Sequence, residues 1–130
     1  MIVIDASAMV EILLNTEVGR RADAAIGVQE MSAPELLDSE VCSAIARLER
    51  AGELTAHRVD AAVADLALAP VDRFPHVPLL SRVRHLWHNI SAYDAWYVAL
   101  AESLGCGLVT IDGRLARAPD VAIEVTLVPR

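Results

Sequence analysis

The chain has 130 residues, enough for one domain whose core needs neither disulfides nor a structural metal. Its formal net charge of -7 disfavours non-specific binding to nucleic acid, because phosphates are repelled unless a metal ion or a local basic patch intervenes. All 11 basic residues are arginines, which excludes mechanisms that need a lysine amine. We expect a single domain over residues 1–130.

Compartment and partners follow from the same composition. Hydrophobic residues make up 55% of the chain, yet no apolar run reaches the roughly 18 residues of a membrane span. The first residues resemble a strand rather than a charged leader, so we expect a cytoplasmic protein. Cys42 and Cys106 are isolated, which fits a reducing compartment, argues against zinc and predicts two small core residues. A small chain this apolar is also expected to bury surface in a partner.

The first strand ends on an acid. Residues 2–4 form a β-branched run typical of a parallel strand buried on both faces, and Asp5 follows directly. The carboxyl end of such a strand lies at the sheet edge where α/β proteins bind ligands. A short helix is predicted from Ser7 to Leu14, with Ser7 available as its cap.

The middle of the chain is predicted to be mainly helical. The expected elements are a helix from Thr16 or Glu17 to Ala25 closed by Gly27, a short strand over residues 29–33, a helix from Pro34 to Ala51, a helix from Thr55 to about Ala69, a short strand within Pro70–Pro78 and a helix from Leu79 to about Trp87. In the helix that follows Thr55, Val63 is expected to face inward.

Glu40 occupies an unusual position in the helix that begins at Pro34. At 3.6 residues per turn it falls in one row with Leu36, Ala44 and Leu48, so its carboxylate projects within the apolar face. A snorkelling or internally paired glutamate would explain this position, and so would a functional acid.

Two further acids lie in the last third of the chain. Ser91 and Asp94 resemble a capping box that opens a helix ending before Gly105. Residues 107–111 form an apolar strand that ends on Asp112, and residues 123–128 form the final strand. The order of elements predicts an α/β fold, with a parallel sheet covered by helices on both faces.

Three of these acids are therefore expected at one sheet edge, within reach of Glu40. Four carboxylates brought together destabilise one another, so a positive group must lie among them. An all-oxygen site selects Mg²⁺ or Mn²⁺ over zinc, and such a site implies phosphate chemistry. Each aspartate also has a simpler explanation: Asp5 and Asp94 as caps, and Asp112 as the start of a turn at Gly113.

Four segments resemble the acidic motifs of the PIN domain, in the order and at the separations of VapC-type toxins of toxin–antitoxin modules. They are VIDASA at residues 3–8, PELLDSEVCSAIARL at 34–48, SAYDAWYVALAE at 91–102 and LVTIDGRL at 108–115. The resemblance implies an acidic metal site and two supporting hydroxyls, formed by Asp5, Glu40, Asp94 and Asp112 with Ser7 and Thr110.

The resemblance further implies a three-layer α/β/α sandwich with a mostly parallel five-stranded sheet. It implies a metal-dependent endoribonuclease, commonly a homodimer, that is inhibited by a co-expressed antitoxin. We expect Asp5 and Asp94 to hold the principal Mg²⁺, replaceable by Mn²⁺, with Glu40 and Asp112 completing its shell or helping to hold a second ion. The ion would activate a water for attack on an RNA phosphodiester.

Contacts with the RNA substrate and with the antitoxin are also predicted. Arg114 and Arg117 are expected to contact RNA. A second basic and aromatic cluster comprises Arg82, Arg84, His85, Trp87 and His88, although an ordinary amphipathic helix explains it as well. The two histidines lack a third partner and are not expected to bind metal. The antitoxin is expected to cover the acidic cleft, with its groove on the first two helices and on residues 34–51.

Two other functions compete with the nuclease. A catalytically inactive PIN-like module would bind a protein partner without cleaving RNA. A phosphoacceptor signalling domain also gathers acids around Mg²⁺ at strand ends, but it normally needs a lysine, and this chain has none.

Overall fold

The computed structural model describes all 130 residues and places five strands in one sheet. The strands are β1 (Ile2–Ile4), β2 (Met31–Pro34), β3 (Val71–Phe74), β4 (Gly107–Thr110) and β5 (Val125–Leu127). The helices are α1 (Ala6–Leu13), α2 (Glu17–Ile26), α3 (Leu36–Arg50), α4 (Ala56–Leu68), α5 (Leu80–Leu86), α6 (Ala92–Leu104) and α7 (Gly113–Ala116), with a 3₁₀ turn at Val77–Leu79 before α5.

The sheet is entirely parallel, in the order β3-β2-β1-β4-β5. The chain moves outward from β1 to β3 and then returns to β4 on the other side of β1. Because parallel crossovers are right-handed, this reversal puts the helices of the two halves on opposite faces. Accordingly α1 packs with α2, α3 and α4, whereas α6 packs on β1, β2 and β4. Helix α5 packs against α6. The predicted α/β/α sandwich is confirmed.

Strand β1 is the centre of the core. Val3 and Ile4 are fully buried, and they belong to one cluster of 30 buried hydrophobic residues. Asp5, the next residue, is only 4% exposed. The acid therefore follows a strand that is buried on both faces, as the sequence predicts.

Most predicted helix caps are confirmed. Thr16, Thr55 and Ser91 each accept a backbone N–H at the start of α2, α4 and α6, and Gly105 ends α6 in the left-handed conformation. The prediction for Ser7 is wrong: Asp5 is the cap of α1, because the helix starts one residue earlier and places Ser7 in its first turn.

The prediction that Pro34 opens a helix is also wrong. Pro34 is the last residue of β2, where it pairs with Phe74 of β3. Strand β1 pairs only with Met31 and Ser32, so the missing N–H of the proline interrupts no hydrogen bond on that side. Helix α3 begins at Leu36, whose N–H donates to His76 Nε2 at 3.0 Å.

Three side chains lie farther out than predicted. Cys42 is exposed on α3, and Cys106 is only half-buried. Val63 is 45% exposed, because α4 buries only a narrow face, through Ala62 and Leu66. None of the helices combines the length and the apolar character that crossing a membrane would require.

Candidate active site

A cavity of about 540 Å³ lies at the carboxyl edge of the sheet, at the ends of β1 and β4. This is the point where the strand order reverses, and in open α/β sheets the crevice at such a point is where ligands bind. All four predicted acids line it: Asp5, Glu40, Asp94 and Asp112. We call it the acidic cavity.

Asp5 is held on both carboxylate oxygens. Its Oδ1 accepts hydrogen bonds from the Ser7 hydroxyl at 2.7 Å and from the Ala8 N–H at 3.0 Å, and its Oδ2 accepts one from the Thr110 hydroxyl. An ionised carboxylate has about four lone-pair sites, so roughly one remains for a ligand. Helix capping and a role in the cavity are therefore compatible for this residue.

Ser7 and Thr110 join the ends of β1 and β4. Besides donating to Asp5, the Thr110 hydroxyl accepts the Asp112 N–H at 3.0 Å, and the Ser7 hydroxyl accepts the Ile111 N–H at 3.2 Å. Thr110 is fully buried. These bonds place Asp5 and Asp112 on one connected network, which fits the supporting role that the resemblance implies for both hydroxyls.

Glu40 is fixed by a contact between the two helical layers. The hydroxyl of Tyr97 on α6 donates to Glu40 Oε1 on α3 at 2.7 Å. Tyr97 is 1% exposed, and Glu40 is half-buried. The internally paired glutamate that the sequence left open is therefore present, and it lies in the wall of the acidic cavity.

Asp94 and Asp112 both lie at helix starts. The cap of α6 uses the backbone N–H of Asp94, which donates to Ser91 Oγ at 3.0 Å. Asp112 caps the short α7, where its Oδ1 accepts the Arg114 N–H at 2.9 Å and lies 3.5 Å from Arg114 Nε. Favourable interaction with helix N-termini offsets part of the cost of collecting these acids.

Three of the four acids have raised pKa values, because their surroundings disfavour the charged carboxylate. Burial raises the pKa of Asp5 to about 6 from its usual 3.8, although its hydrogen bonds act in the opposite direction. Burial also raises the pKa of Glu40, and Asp94 adds repulsion. Burial raises the pKa of Asp94. Repulsion from Asp112 raises it as well, whereas attraction to Arg114 lowers it. A cavity with this electrostatic character favours a bound cation.

The donor set fits a hard divalent cation. Five carboxylates line the cavity, namely the four predicted acids and Glu11, and no His or Cys does. This is the ligand chemistry of Mg²⁺ or Mn²⁺ and not of zinc. As they stand, the side chains form no group of three or more His, Cys, Asp or Glu that could hold a metal ion. Direct coordination by three carboxylates therefore requires side-chain movement, and Asp5, which accepts three hydrogen bonds, is the acid least free to move.

Arginines and a tyrosine surround the acids. Arg47, Arg114 and Arg130 line the acidic cavity, and so does Tyr93, which is 62% exposed. Of these, only Arg114 was predicted. Arg47 lies two helical turns after Glu40, so the helix wheel contains its signal, whereas nothing in the sequence places Arg130 here.

Several sequence predictions do not converge on this cavity. Arg117 does not line it, and its guanidinium packs over Gly113.

The predicted antitoxin groove lacks large exposed apolar side chains: none of the strongly exposed ones lies on α1, α2 or α3. Such side chains occur instead on α4 and around α5, including Leu68 and Leu80. The helices that were expected to form the groove use their apolar faces to pack on one another and on the sheet.

A family model described as "PIN domain" matches residues 2–121, nearly the whole chain. The chain belongs to the PIN domain family. Within it, the chain is 42% identical over 130 residues to Ribonuclease VapC9 of Mycobacterium tuberculosis, covering 100% of both chains. It is 43% identical over 118 residues to Ribonuclease VapC3 of the same species, covering 90% of this chain and 86% of that protein. The resemblance that the motifs predicted is confirmed.

Solved structures agree on the fold. PAE2754 from Pyrobaculum aerophilum superposes with a TM-score of 0.70 at 22% identity, over 95% of this chain and 82% of that one. VapBC2 from Rickettsia felis, bound to a DNA fragment from its promoter, superposes with a TM-score of 0.67 at 12% identity, over 96% and 98%. At these identities the structural similarity supports the PIN fold alone.

Proposed function

We propose that this chain is the toxin of a type II toxin–antitoxin module and acts as a Mg²⁺-dependent endoribonuclease. The observation that carries the proposal is the acidic cavity: the four predicted acids come from four separate elements and line one crevice at the reversal point of the sheet. Full-length similarity to proteins named ribonucleases supports the reaction class.

In this proposal Asp5 and Asp94 hold the principal ion, and Glu40 and Asp112 complete its surroundings. When bound, the ion would supply Lewis-acid activation of a water and neutralise charge on the phosphate. Asp5 presents a preoriented oxygen because Ser7 and Thr110 hold its carboxylate. Glu40 retains Oε2 for a water molecule, since Tyr97 uses only Oε1.

The arginines bind the RNA backbone in this proposal. The net charge of -7 repels RNA, so attraction must be local. Arg114 is well placed for a phosphate: its side chain is 88% exposed, and it lines the same cavity as the acids. Arg117, predicted from sequence as a second contact, remains a candidate only for RNA that extends beyond the cavity.

An antitoxin protein is the proposed regulator. The acidic cavity would accept a basic side chain of the antitoxin, which forms strong charge-assisted bonds with carboxylates. The proposal also includes a homodimer, a toxin–antitoxin hetero-oligomer and a cytoplasmic location, where RNA and a co-expressed antitoxin are both present.

The test of the nuclease is cleavage of mixed cellular RNA by the purified chain. We expect cleavage with Mg²⁺ or Mn²⁺ and none with EDTA, and full restoration when Mg²⁺ is returned. Purification together with the neighbouring gene product should give an inactive complex. A stable complex that cleaves RNA at the rate of the free chain would contradict inhibition.

A catalytically inactive binding module is the second candidate. It is favoured by one observation, namely that the side chains form no ready metal cluster. The same Mg²⁺ and EDTA titration separates the two, because a binding module would leave RNA intact under every metal condition while still binding its partner.

A further inference from the structure

A second cavity, of about 390 Å³, adjoins the acidic cavity. The two share three lining residues, Ser91, Asp94 and Arg114. Trp87 and His88 also line the second cavity, which we call the tryptophan cavity. Its volume lies within the range of small-molecule sites. Because the two cavities meet at Asp94 and Arg114, one extended ligand can occupy both.

Trp87 offers an aromatic surface in the tryptophan cavity. It is 47% exposed, and the guanidinium of Arg84 lies 4.9 Å from the centre of its ring. Arg84 Nη1 in turn donates to His88 Nε2 at 3.0 Å. The other tryptophan, Trp96, is half-buried and stacks on His76. Trp87 is therefore the exposed indole of the chain, and it carries a cation on its ring.

The basic cluster predicted from sequence divides into two parts. Arg82 forms an ion pair with Glu102 at 2.8 Å, and His85 bonds to the Ser81 carbonyl at 2.8 Å. These contacts lie within the layer formed by α5 and α6. Of the remaining members, Trp87 and His88 line the tryptophan cavity, and Arg84 contacts both of them from outside the lining. An ordinary amphipathic helix explains the contacts of Arg82 and His85, but it does not explain why the ring of Trp87 is exposed.

The surroundings of Trp87 match an unpaired nucleotide. A base stacks on an aromatic face regardless of its sequence, and an arginine beside the ring adds a cation. Arg114 stands at the junction with the acidic cavity, where the phosphate of that nucleotide would lie. A duplex does not fit, because its bases are stacked on one another and cannot reach an indole.

We propose that the tryptophan cavity binds one unpaired nucleotide of the RNA, adjacent to the phosphate in the acidic cavity, with its base on Trp87 and its own phosphate against Arg114. This inference rests on the proposed nuclease function and narrows its substrate to RNA that is single-stranded beside the cut. Stacking on one aromatic ring contributes about ten- to a hundredfold in RNA affinity.

The test compares Trp87→Ala and Trp87→Phe with Leu80→Ala. Leu80 is a control at the start of α5, the helix that Trp87 follows; it is 52% exposed and lines neither cavity. The substrate is a short mixed-sequence single-stranded RNA with Mg²⁺. We expect Trp87→Ala to raise KM about ten- to a hundredfold with kcat nearly unchanged, and Trp87→Phe to retain most of the affinity. Leu80→Ala should behave like the unmodified chain, and thermal melting verifies that all variants are folded.

A binding assay separates this inference from the nuclease proposal. Fluorescence anisotropy of the same RNA, with every variant placed in an Asp5→Asn background, reports affinity without cleavage. If the unmodified chain cuts RNA and Trp87→Ala binds as tightly as Leu80→Ala, the nucleotide site is wrong and the nuclease stands. If the unmodified chain never cuts RNA but Trp87→Ala weakens binding, the nuclease is wrong and the nucleotide site stands.

Two further outcomes would overturn the site. The first is an equal effect of Trp87→Ala on the RNA annealed to its complement, since no unpaired base is then required. The second is loss of antitoxin binding with unchanged RNA affinity, which would assign Trp87 to a protein interface.

Discussion

The two cavities differ in how their side chains are held. Asp5, Thr110 and Tyr97 are buried on the acidic side, and each is bonded to another part of the core. Trp87 in the tryptophan cavity and Arg114 at the junction of the two cavities are exposed, and each is held by a neighbour on its own short segment. A change to the acidic side should therefore alter metal affinity and stability together, whereas a change to the exposed side should alter RNA affinity alone.

The strongest test of this contrast is Asp5→Asn. Asparagine keeps an acceptor for Ser7 and Ala8 but removes the charge that the proposed ion needs. We expect Mg²⁺-dependent RNA cleavage to fall by about a thousandfold or more, the scale of several kcal/mol that a catalytic metal supplies. Asp60→Asn, on an exposed position of α4, is the matched control and should cleave normally. Equal rates for the two variants would refute the role of Asp5.

The stability of the metal-free chain should depend on pH through the same residue. Because burial raises the pKa of Asp5 to about 6 from 3.8, the folded state binds more protons than the unfolded state between these values. The contribution of Asp5 to the free energy of unfolding is therefore largest below about pH 4. It decreases by about 3 kcal/mol as the pH rises through about 6. Glu40 and Asp94 act in the same direction.

Urea unfolding in EDTA at pH 5 and pH 8 measures this effect. Asp5→Asn should be more stable than the unmodified chain at pH 8, and the difference should shrink at pH 5. Adding Mg²⁺ at pH 8 should stabilise the unmodified chain more than the variant. A variant that is less stable at pH 8 in EDTA would show that burial of the Asp5 charge is not the dominant cost.

Tyr97→Phe probes the contact that joins α3 to α6. The substitution removes the bond to Glu40 Oε1 and keeps the buried ring. We expect the apparent affinity for Mg²⁺ in the cleavage assay to fall about 10- to 100-fold, as is usual when a group that orients a metal ligand is lost. The KM for RNA at saturating Mg²⁺ should change little. A selective rise in that KM would place Tyr97 in RNA binding instead.

Arg114→Gln should have the smallest effect. The side chain is 88% exposed and contributes one phosphate contact in the proposal. RNA binding should weaken several-fold for all sequences alike, and the slope of log affinity against log salt should decrease by about one phosphate contact. Arg117→Gln is the comparison, because its side chain lies outside the acidic cavity. An equal effect of both would mean that the RNA path does not follow the cavity.

The acids were predictable because each obeys a rule of local structure. Asp5 and Asp112 follow apolar strands, and the carboxyl ends of parallel strands share one edge. Asp94 is placed by the cap of its helix, and Glu40 by its row on the helix wheel. Periodicity and end signals were sufficient here, since the relevant positions are set by elements that the sequence marks clearly.

Contacts between layers were not predictable in the same way. Tyr97 shares a helix face with Leu100 and Leu104, which predicts a buried ring, but this spacing does not indicate that the hydroxyl bonds to Glu40 on a different helix. Arg130 lies far from the acids in the sequence, yet it lines the cavity and pairs with Glu11 of α1 at 2.8 Å. Pro34 and Val63 were misplaced because β1 pairs with β2 only as far as Ser32 and because α4 buries only a narrow face, and a single sequence records neither fact.

In the proposed metal site, Asp5, Glu40, Asp94 and Asp112 surround one divalent ion. The measurement that tests this site is the anomalous difference density of a crystal of the chain grown with Mn²⁺. We expect a peak in the acidic cavity, contacted by Asp5 and Asp94, with Glu40 and Asp112 turned toward it. A well-ordered crystal that shows no peak there, from a preparation whose RNA cleavage requires Mn²⁺, would contradict it.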